Sequence, residues 1–456
     1  MANDATQSDQ NNSQSPSTSA EEGKYPIGAW IALAILTLVY ALNIADRYVF
    51  STLLENVKHD FQLSDAAVGF LTGVAVAIFY SVLGIPLGAL ADRVNRKKLV
   101  ALSVAAWSVM TALCGLSTTL WQLGASRIGV GIGEAGASPA SYSLVADKFR
   151  PKMRPLALSI LGTGATIGAW LGATGAGYLN DLYGWRHVLV IFGLGGLPLA
   201  ICVWLIREPN RGTFDSPKAN TESASSVRDT FAYIWNHKAL FHIIAGATAL
   251  CFWGWGIIWW IPAYLQRTFH ITTGEAGSIL GPVHGVGGTL AMIATVGVMA
   301  WLKNKKEHHI PMFVALVTLI TTVASIFLFT THNLTHATVL LWLFTPAIYI
   351  FIGPTTALIQ NLTPPGMRAT ASGVYLFTSN FICLAVAPLI IGFMSDWLNE
   401  HTVHGQQSLR VALLWFAFTG FWAVYHYASA VRCMKHPATT KPSYREALIP
   451  QVLPKK

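Results

Sequence analysis

The sequence predicts an all-α polytopic membrane protein, with twelve transmembrane helices in two pseudo-symmetric six-helix bundles. Three observations carry the prediction. Of 456 residues, 53% are hydrophobic and only 11% are charged, with a mean hydropathy of +0.47; water-soluble domains carry roughly 25% charged residues. No charged residue stands between Asp65 and Asp92, or between Lys98 and Arg127, and each interval can cross a hydrocarbon core of about 30 Å as a helix. Finally, a polar stretch from Arg207 to Lys238, with Pro, Ser, Asn and charges of both signs, separates six apolar segments from six more.

Taken in order, residues 1–26 are expected to form a disordered cytoplasmic tail. The first 23 are rich in Ser, Asn, Gln, Asp and Thr and lack the basic region and apolar core of a cleavable signal. Spanning segments are expected at 27–52, 65–90, 99–118, 121–145, 155–179 and 187–206, making an N-terminal bundle over 27–206. After a cytoplasmic linker at 207–238 come 239–265, 275–302, 310–331, 337–361, 368–395 and 408–431, making a C-terminal bundle over 239–431, and then a cytoplasmic tail at 432–456. The even number of crossings puts both termini on one side. On that side fall 24 of the 30 Lys and Arg residues, against Lys58, Arg186, Arg267 and Arg410 opposite. The positive-inside rule therefore places the termini in the cytoplasm. The formal charge of +9 follows from this topology and from attraction to anionic head groups, so nucleic-acid binding is not needed to explain it. Cys114, Cys202, Cys251, Cys383 and Cys433 show no paired spacing and read as small apolar packing residues; no metal site is expected.

Ionisable groups at membrane depth are costly unless paired, and are functional candidates for that reason. Asp46 and Arg47 stand side by side near the far end of the first segment, and Arg127 and Glu134 interrupt the fourth. Seven residues are nearly two helical turns, so Arg127 and Glu134 share a face roughly 10 Å apart along the axis. The first and fourth segments run in opposite directions, which brings Asp46 and Arg127 to comparable depth. As a set the four are neutral. Asp46, with Glu134 second, is the expected proton site, and Arg47 and Arg127 are its balancing charges. The alternative reading is a static salt-bridge network.

Between the second and third segments stands Gly88-Ala-Leu-Ala-Asp92-Arg93-Val-Asn95-Arg96-Lys97. Gly88 permits close helix approach, and Asp92 can face the positive N-terminal end of the eleventh segment, latching the halves when the cytoplasmic side closes. Asn95 is expected to adopt a left-handed turn. An echo relates the halves: Met153-Arg154 and Gly177-Tyr-Leu-Asn-Asp181 bound the fifth segment, Met367-Arg368 and Gly392-Phe-Met-Ser-Asp396 the eleventh. Duplicated bundles leave weak repeats of this kind. The fifth segment also carries Gly162, Gly164, Gly168 and Gly172 at close helix-packing spacing. In the C-terminal half Trp253, Trp255, Tyr264, His284, Tyr349, Tyr375 and Asn380 supply aromatic and neutral polar side chains without charge, and are the candidate lining of a cavity for an amphipathic substrate.

The Gly88–Lys97 stretch resembles the loop motif of the major facilitator superfamily, with Asn95 where that motif has glycine. Leu42-Asn43-Ile-Ala-Asp46-Arg47, Leu63-Ser64-Asp65, Gly69-Phe-Leu-Thr-Gly73, Arg127-Ile-Gly-Val-Gly-Ile-Gly-Glu134-Ala-Gly-Ala-Ser-Pro139 and Gly184-Trp185-Arg186 together resemble its Spinster-like family. Ile44-Ala45 depart from an aromatic residue common after the Asn. The resemblance implies secondary transport of sphingolipid-like or lysophospholipid-like molecules. Asp46, Arg47, Arg127 and Glu134 match the family's membrane acid–base pairs, and Asp92, Arg93 and Arg96 match the superfamily loop. The reading is therefore a proton-coupled transporter of a lipid-like or amphipathic small molecule, monomeric, in a bacterial inner membrane, with no cofactor beyond the proton gradient. A proton-coupled organic-anion symporter is the alternative. A polytopic membrane enzyme would need a catalytic set, and neither HExxH nor GxSxG occurs.

Overall fold

The computed structural model describes residues 25–91, 93–151, 153–211, 213, 226–403 and 405–435. Most of the two expected tails, and Asp92, lie outside the described residues. Those described are overwhelmingly helical and include no strand. Eleven helices among them are long and apolar enough to cross a membrane in one piece. The twelfth, at 120–148, is broken into Leu120–Ala135 and Ala137–Lys148 around Gly136. Pro139 lacks the N–H that would bond back across this point.

The spanning helices are α1 (Ile27–Thr52), α2 (65–91), α3 (Arg96–Leu116), the broken α4 (120–148), α5 (Arg154–Tyr183), α6 (Trp185–Leu205), α7 (Lys238–Phe269), α8 (Thr273–Leu302), α9 (His309–Thr330), α10 (Leu334–Leu362), α11 (368–401) and α12 (Ser408–Lys435). Each expected segment is present, with ends moved by up to six residues. The linker differs from expectation: residues Val227–Asn236 form a helix capped by Ser226, whose hydroxyl accepts the Asp229 N–H. Its four-residue spacing buries Thr230 and Ile234 and leaves Val227, Phe231 and Trp235 outside, so an amphipathic period is hidden in a stretch that composition alone marks as polar.

Glycines set where helices meet. A Cβ at Gly168 would meet the Ala41 carbonyl oxygen of α1, and one at Gly172 would stand 2.7 Å from that of Ala45, so α5 lies directly on α1. Between the bundles, Gly69 and Gly73 of α2 face Pro388 and Leu384 of α11, while Gly177 of α5 faces Thr273 of α8. The contacts between the bundles start from the ends of α2, α5 and α8 away from the termini. In the other half of the molecule a Cβ at Gly84 (α2), Gly162 (α5), Gly297 (α8) or Gly373 (α11) would meet nothing within 4 Å from another helix. The bundles are joined on the face opposite the termini and parted on the face that bears them. Three of the crossing helices carry π-helical turns, Phe70–Val74 in α2, Val283–Gly287 in α8 and Phe381–Val386 in α11. Such turns recur at functional positions in helices.

Candidate functional site: a crossed set of ion pairs and a gate

Asp46, Arg47, Arg127 and Glu134 come together. Arg47 donates to Glu134 Oε2 from Nη2 at 2.7 Å and from Nε at 3.2 Å, and Arg127 Nη1 donates to Asp46 Oδ2 at 3.3 Å. The pairing is crossed: each helix contributes one acid and one base, and each pair joins α1 to α4. Both acids are buried, Asp46 at 3% exposure and Glu134 at 0%. Thr111 of α3 donates to Asp46 Oδ1 at 2.5 Å, whereas Glu134 Oε1 is buried with no hydrogen-bond partner. The cations lie over aromatic faces, Arg47 above Tyr80 at 4.8 Å and Arg127 above Phe50 at 4.1 Å. Arg47 and Arg127 line a cavity of about 20 Å³ between the bundles, closed by Trp259 and Leu384 of the C-terminal half.

Beside this cavity the aromatic candidates divide. His284 Nδ1 lies 3.2 Å from the hydroxyls of both Tyr48 and Tyr349, so one imidazole in the π-helical turn of α8 joins α1 to α10 across the bundle interface. Trp255 stacks on Trp259 at 5.8 Å and meets Tyr349 edge-on at 5.9 Å, and Tyr48 contacts Trp259 at 5.3 Å. Trp253 and Tyr264 do not belong to this cluster. They are 1% and 0% exposed; Trp253 packs on Phe344, and the Tyr264 hydroxyl donates to the Leu328 carbonyl at 2.7 Å. Both face the interior of the C-terminal bundle because α7 is the central helix there and is buried on all sides. Tyr375 is likewise in that core, and Asn380 is half-buried just before the π-helical turn of α11.

In the loop motif, Arg93 is exposed and Arg96 is buried. Arg96 pairs with Asp147, with Glu208 Oε1 at 3.0 Å and with Ser143 Oγ at 2.8 Å. These partners tie α3 to the end of α4 and to the start of the linker, within the N-terminal half. Among the described residues, a Cβ at Gly88 would meet Pro139 of its own bundle, at 3.9 Å. Asn95 is not left-handed. Its φ of −66° and ψ of 113° are those of a helix N-cap, and its side chain accepts the Lys98 N–H at 3.0 Å, the alternative role for which Asn is equally suited.

A second charged set went unread in the sequence, where Lys58 and Arg267 counted only as loop charges. Asp65, 2% exposed at the start of α2, accepts from Lys58 at 2.5 Å, from Arg267 of α7 at 2.8 and 2.7 Å, and from Ser395 of α11 at 2.6 Å. Arg267 also binds Glu55 at 2.5 Å. Glu55, Lys58, Asp65 and Arg267, with Asp396, line a polar recess of about 900 Å³ open to the face opposite the termini. The signal available was Arg267 at the end of an aromatic-rich segment, facing Glu55 just beyond α1 and Asp65 at the start of α2. Ser51 adds a bond beneath them, donating to the Trp259 carbonyl at 2.7 Å. Together these contacts form a closed gate over the Arg47–Glu134 level.

Residues 36–388 match the Major Facilitator Superfamily. The chain is 32% identical over 392 residues to an MFS-type efflux pump of Mycolicibacterium smegmatis, covering 85% of this chain and 89% of that one. It is 28% identical to the sphingosine-1-phosphate transporter SPNS2 of Danio rerio, covering 81% and 77%. Among solved structures, a bacterial homologue of the human lysosomal transporter Spinster, in an inward-facing and unoccupied conformation, superposes with a TM-score of 0.78 at 27% identity, covering 91% of this chain and 98% of that one. The chain is a multi-pass membrane transporter, not an enzyme, and belongs to the Major Facilitator Superfamily with Spinster proteins among its homologues.

Proposed function

We propose that this transporter is proton-coupled, carries a lipid-like or amphipathic small molecule by rocker-switch alternating access, and acts as a monomer in a bacterial inner membrane with both termini cytoplasmic. The observation that carries the proposal is the crossed set at the bundle interface, with one carboxylate oxygen, Glu134 Oε1, left without a partner. A proton arriving from the open face has that oxygen to bind. Protonated Glu134 is a weaker partner for Arg47, which sits at the inter-bundle cavity with Trp259. Arg47 is then free to hold an anionic or polar head group, while Trp255, Trp259, Tyr48 and Tyr349 offer aromatic surface to an apolar tail. Loss of the proton restores the Arg47–Glu134 pair and expels the head group. The Glu134 carboxylate and the substrate thereby alternate on one cation, and proton and substrate are bound together. The named cargo of the SPNS2 relative, sphingosine-1-phosphate, has the charge and tail this arrangement suits.

The organic-anion reading differs in cargo but uses the same cation, and the placement of Arg47 and Arg127 on the cavity favours it equally for the head group. Competition in proteoliposomes separates the two. Uptake of a labelled lysolipid, driven by an imposed pH gradient, should be inhibited by unlabelled lysolipid and not by short soluble carboxylates. Inhibition by carboxylates alone would overturn the lipid reading.

A further inference from the structure

The repeated Gly-x-x-x-Asp at the ends of α5 and α11 has a structural counterpart in each bundle. Asp396, at the end of α11, accepts the Asp65 N–H at 2.8 Å on Oδ1 and the Ala66 N–H at 2.7 Å on Oδ2. These are the first two N–H groups of α2, which belongs to the other bundle. Asp181, at the end of α5, accepts the Gly274 N–H at 3.0 Å and the Thr272 hydroxyl at 2.8 Å, at the first turn of α8, again in the opposite bundle. Each receiving helix already has its own cap: Ser64 Oγ takes the Ala67 N–H and Thr272 Oγ the Glu275 N–H, both at 3.1 Å. The local cap serves the third N–H of the helix, and the acid from across the interface serves N–H groups before it in the same turn. The glycines four residues earlier make the approach possible. A Cβ on Gly177 would lie 2.6 Å from the Thr273 carbonyl oxygen, and one on Gly392 would meet the Asp65 carbonyl oxygen and stand 2.9 Å from Ala66 Cα.

We propose that Asp181 and Asp396 are paired gate residues that hold the face opposite the termini closed by capping, across the interface, the N-termini of α8 and α2. The proposal rests on the alternating-access reading of the fold. An acid at a helix N-terminus gains from charge-assisted N–H bonds and from the helix dipole, and both gains vanish when the helices part. The two latches are related by the pseudo-symmetry of the bundles, so they share the load of one closure. In the sequence, Gly88-x-x-x-Asp92 repeats the same spacing.

The test is a distance measurement between spin labels at Tyr183 and Glu400, exposed positions on the two bundles at the gated face, in a cysteine-free background in lipid nanodiscs. Asp181→Ala and Asp396→Ala should each raise the long-distance, open population about tenfold over the parent, and the double variant should raise it further. Asp181→Asn and Asp396→Asn, which keep an acceptor oxygen and the side-chain volume, should shift it less in the same direction and serve if the Ala variants fold poorly. Asp60→Ala removes an acid on that face whose partners, Arg186 and Trp185, are in its own bundle, and should leave the distances unchanged. An unaltered distribution in the double variant, or an equal shift in Asp60→Ala, overturns the proposal. The readout needs neither substrate nor a pH gradient, so shifted distances beside proton-independent flux would sink the coupling proposal alone.

Discussion

Replacing Arg267 with Met should open the gated face. Arg267 makes two bonds to Asp65 and one to Glu55, so removing it takes from the start of α2 and from the segment just beyond α1 their charged ties to α7. Breaking a fully buried pair costs about 3–5 kcal/mol. Here Lys58 and Ser395 remain on Asp65, and the Glu55 side chain is 21% exposed, which discounts the loss to about 2 kcal/mol. Asp65 is hydrated once the bundles part, so the cost falls on the closed state, and 2 kcal/mol corresponds to a roughly thirtyfold change in the conformational equilibrium. Ser51, 1% exposed and bonded to the Trp259 carbonyl of the other bundle, lies beneath this gate. A Ser51→Cys reporter in a cysteine-free background should react with a membrane-impermeant maleimide about thirty times faster when Arg267→Met is added. A change below about threefold would refute the claim that this charge cluster holds the face shut.

Three further outcomes follow from contacts already described. Gly168→Ala forces a methyl against the backbone of Ala41 in α1 and should lower thermal stability by about 1–3 kcal/mol, while Gly162→Ala, with nothing within 4 Å, should be neutral or stabilising by about 0.5–1 kcal/mol; paired melting curves in detergent check both. Thr111→Val removes the 2.5 Å hydroxyl bond to Asp46 Oδ1 without changing side-chain size, and should slow pH-driven flux severalfold while leaving counterflow exchange near normal. Asp60, outside the membrane, is held below the usual carboxylate range, chiefly by its hydrogen bond from Arg186. Its stabilising contribution is complete above the ordinary carboxylate pKa and is lost as pH falls through the depressed value. Asp60→Asn should therefore lower the melting temperature slightly at neutral pH, and the difference from the parent should close on acidification.

The helices and the crossed ion pairs were legible because both depend on rules that act along the chain. Charge-free length marks a span, and a buried acid seven residues from a buried base on one helix needs opposite charges at the same depth on a neighbour; Asp46 and Arg47 were the pair available. The aromatic lining was only partly legible. Trp253 and Trp255 are two residues apart, about 200° around a helix, and sequence offers no sign of which one faces the interface. The gate was missed for a related reason. Lys58 and Arg267 look like ordinary loop charges until packing places them around Asp65 at the crossing of α2, α7 and α11. Asn95 shows the limit of substitution logic, since the same residue serves a left-handed turn and an N-cap, and only the first turn of α3 decides between them. The echo ending in Asp181 and Asp396 was visible as a repeat, but its partners lie in the opposite bundle and become apparent only in three dimensions.

The most direct test of proton coupling is flux in proteoliposomes under an imposed pH gradient, comparing the parent with Asp46→Asn and Glu134→Gln alongside substrate binding and counterflow exchange. The account predicts that Glu134→Gln and Asp46→Asn lose gradient-driven accumulation while retaining binding and exchange. Normal gradient-driven accumulation in both variants would contradict it.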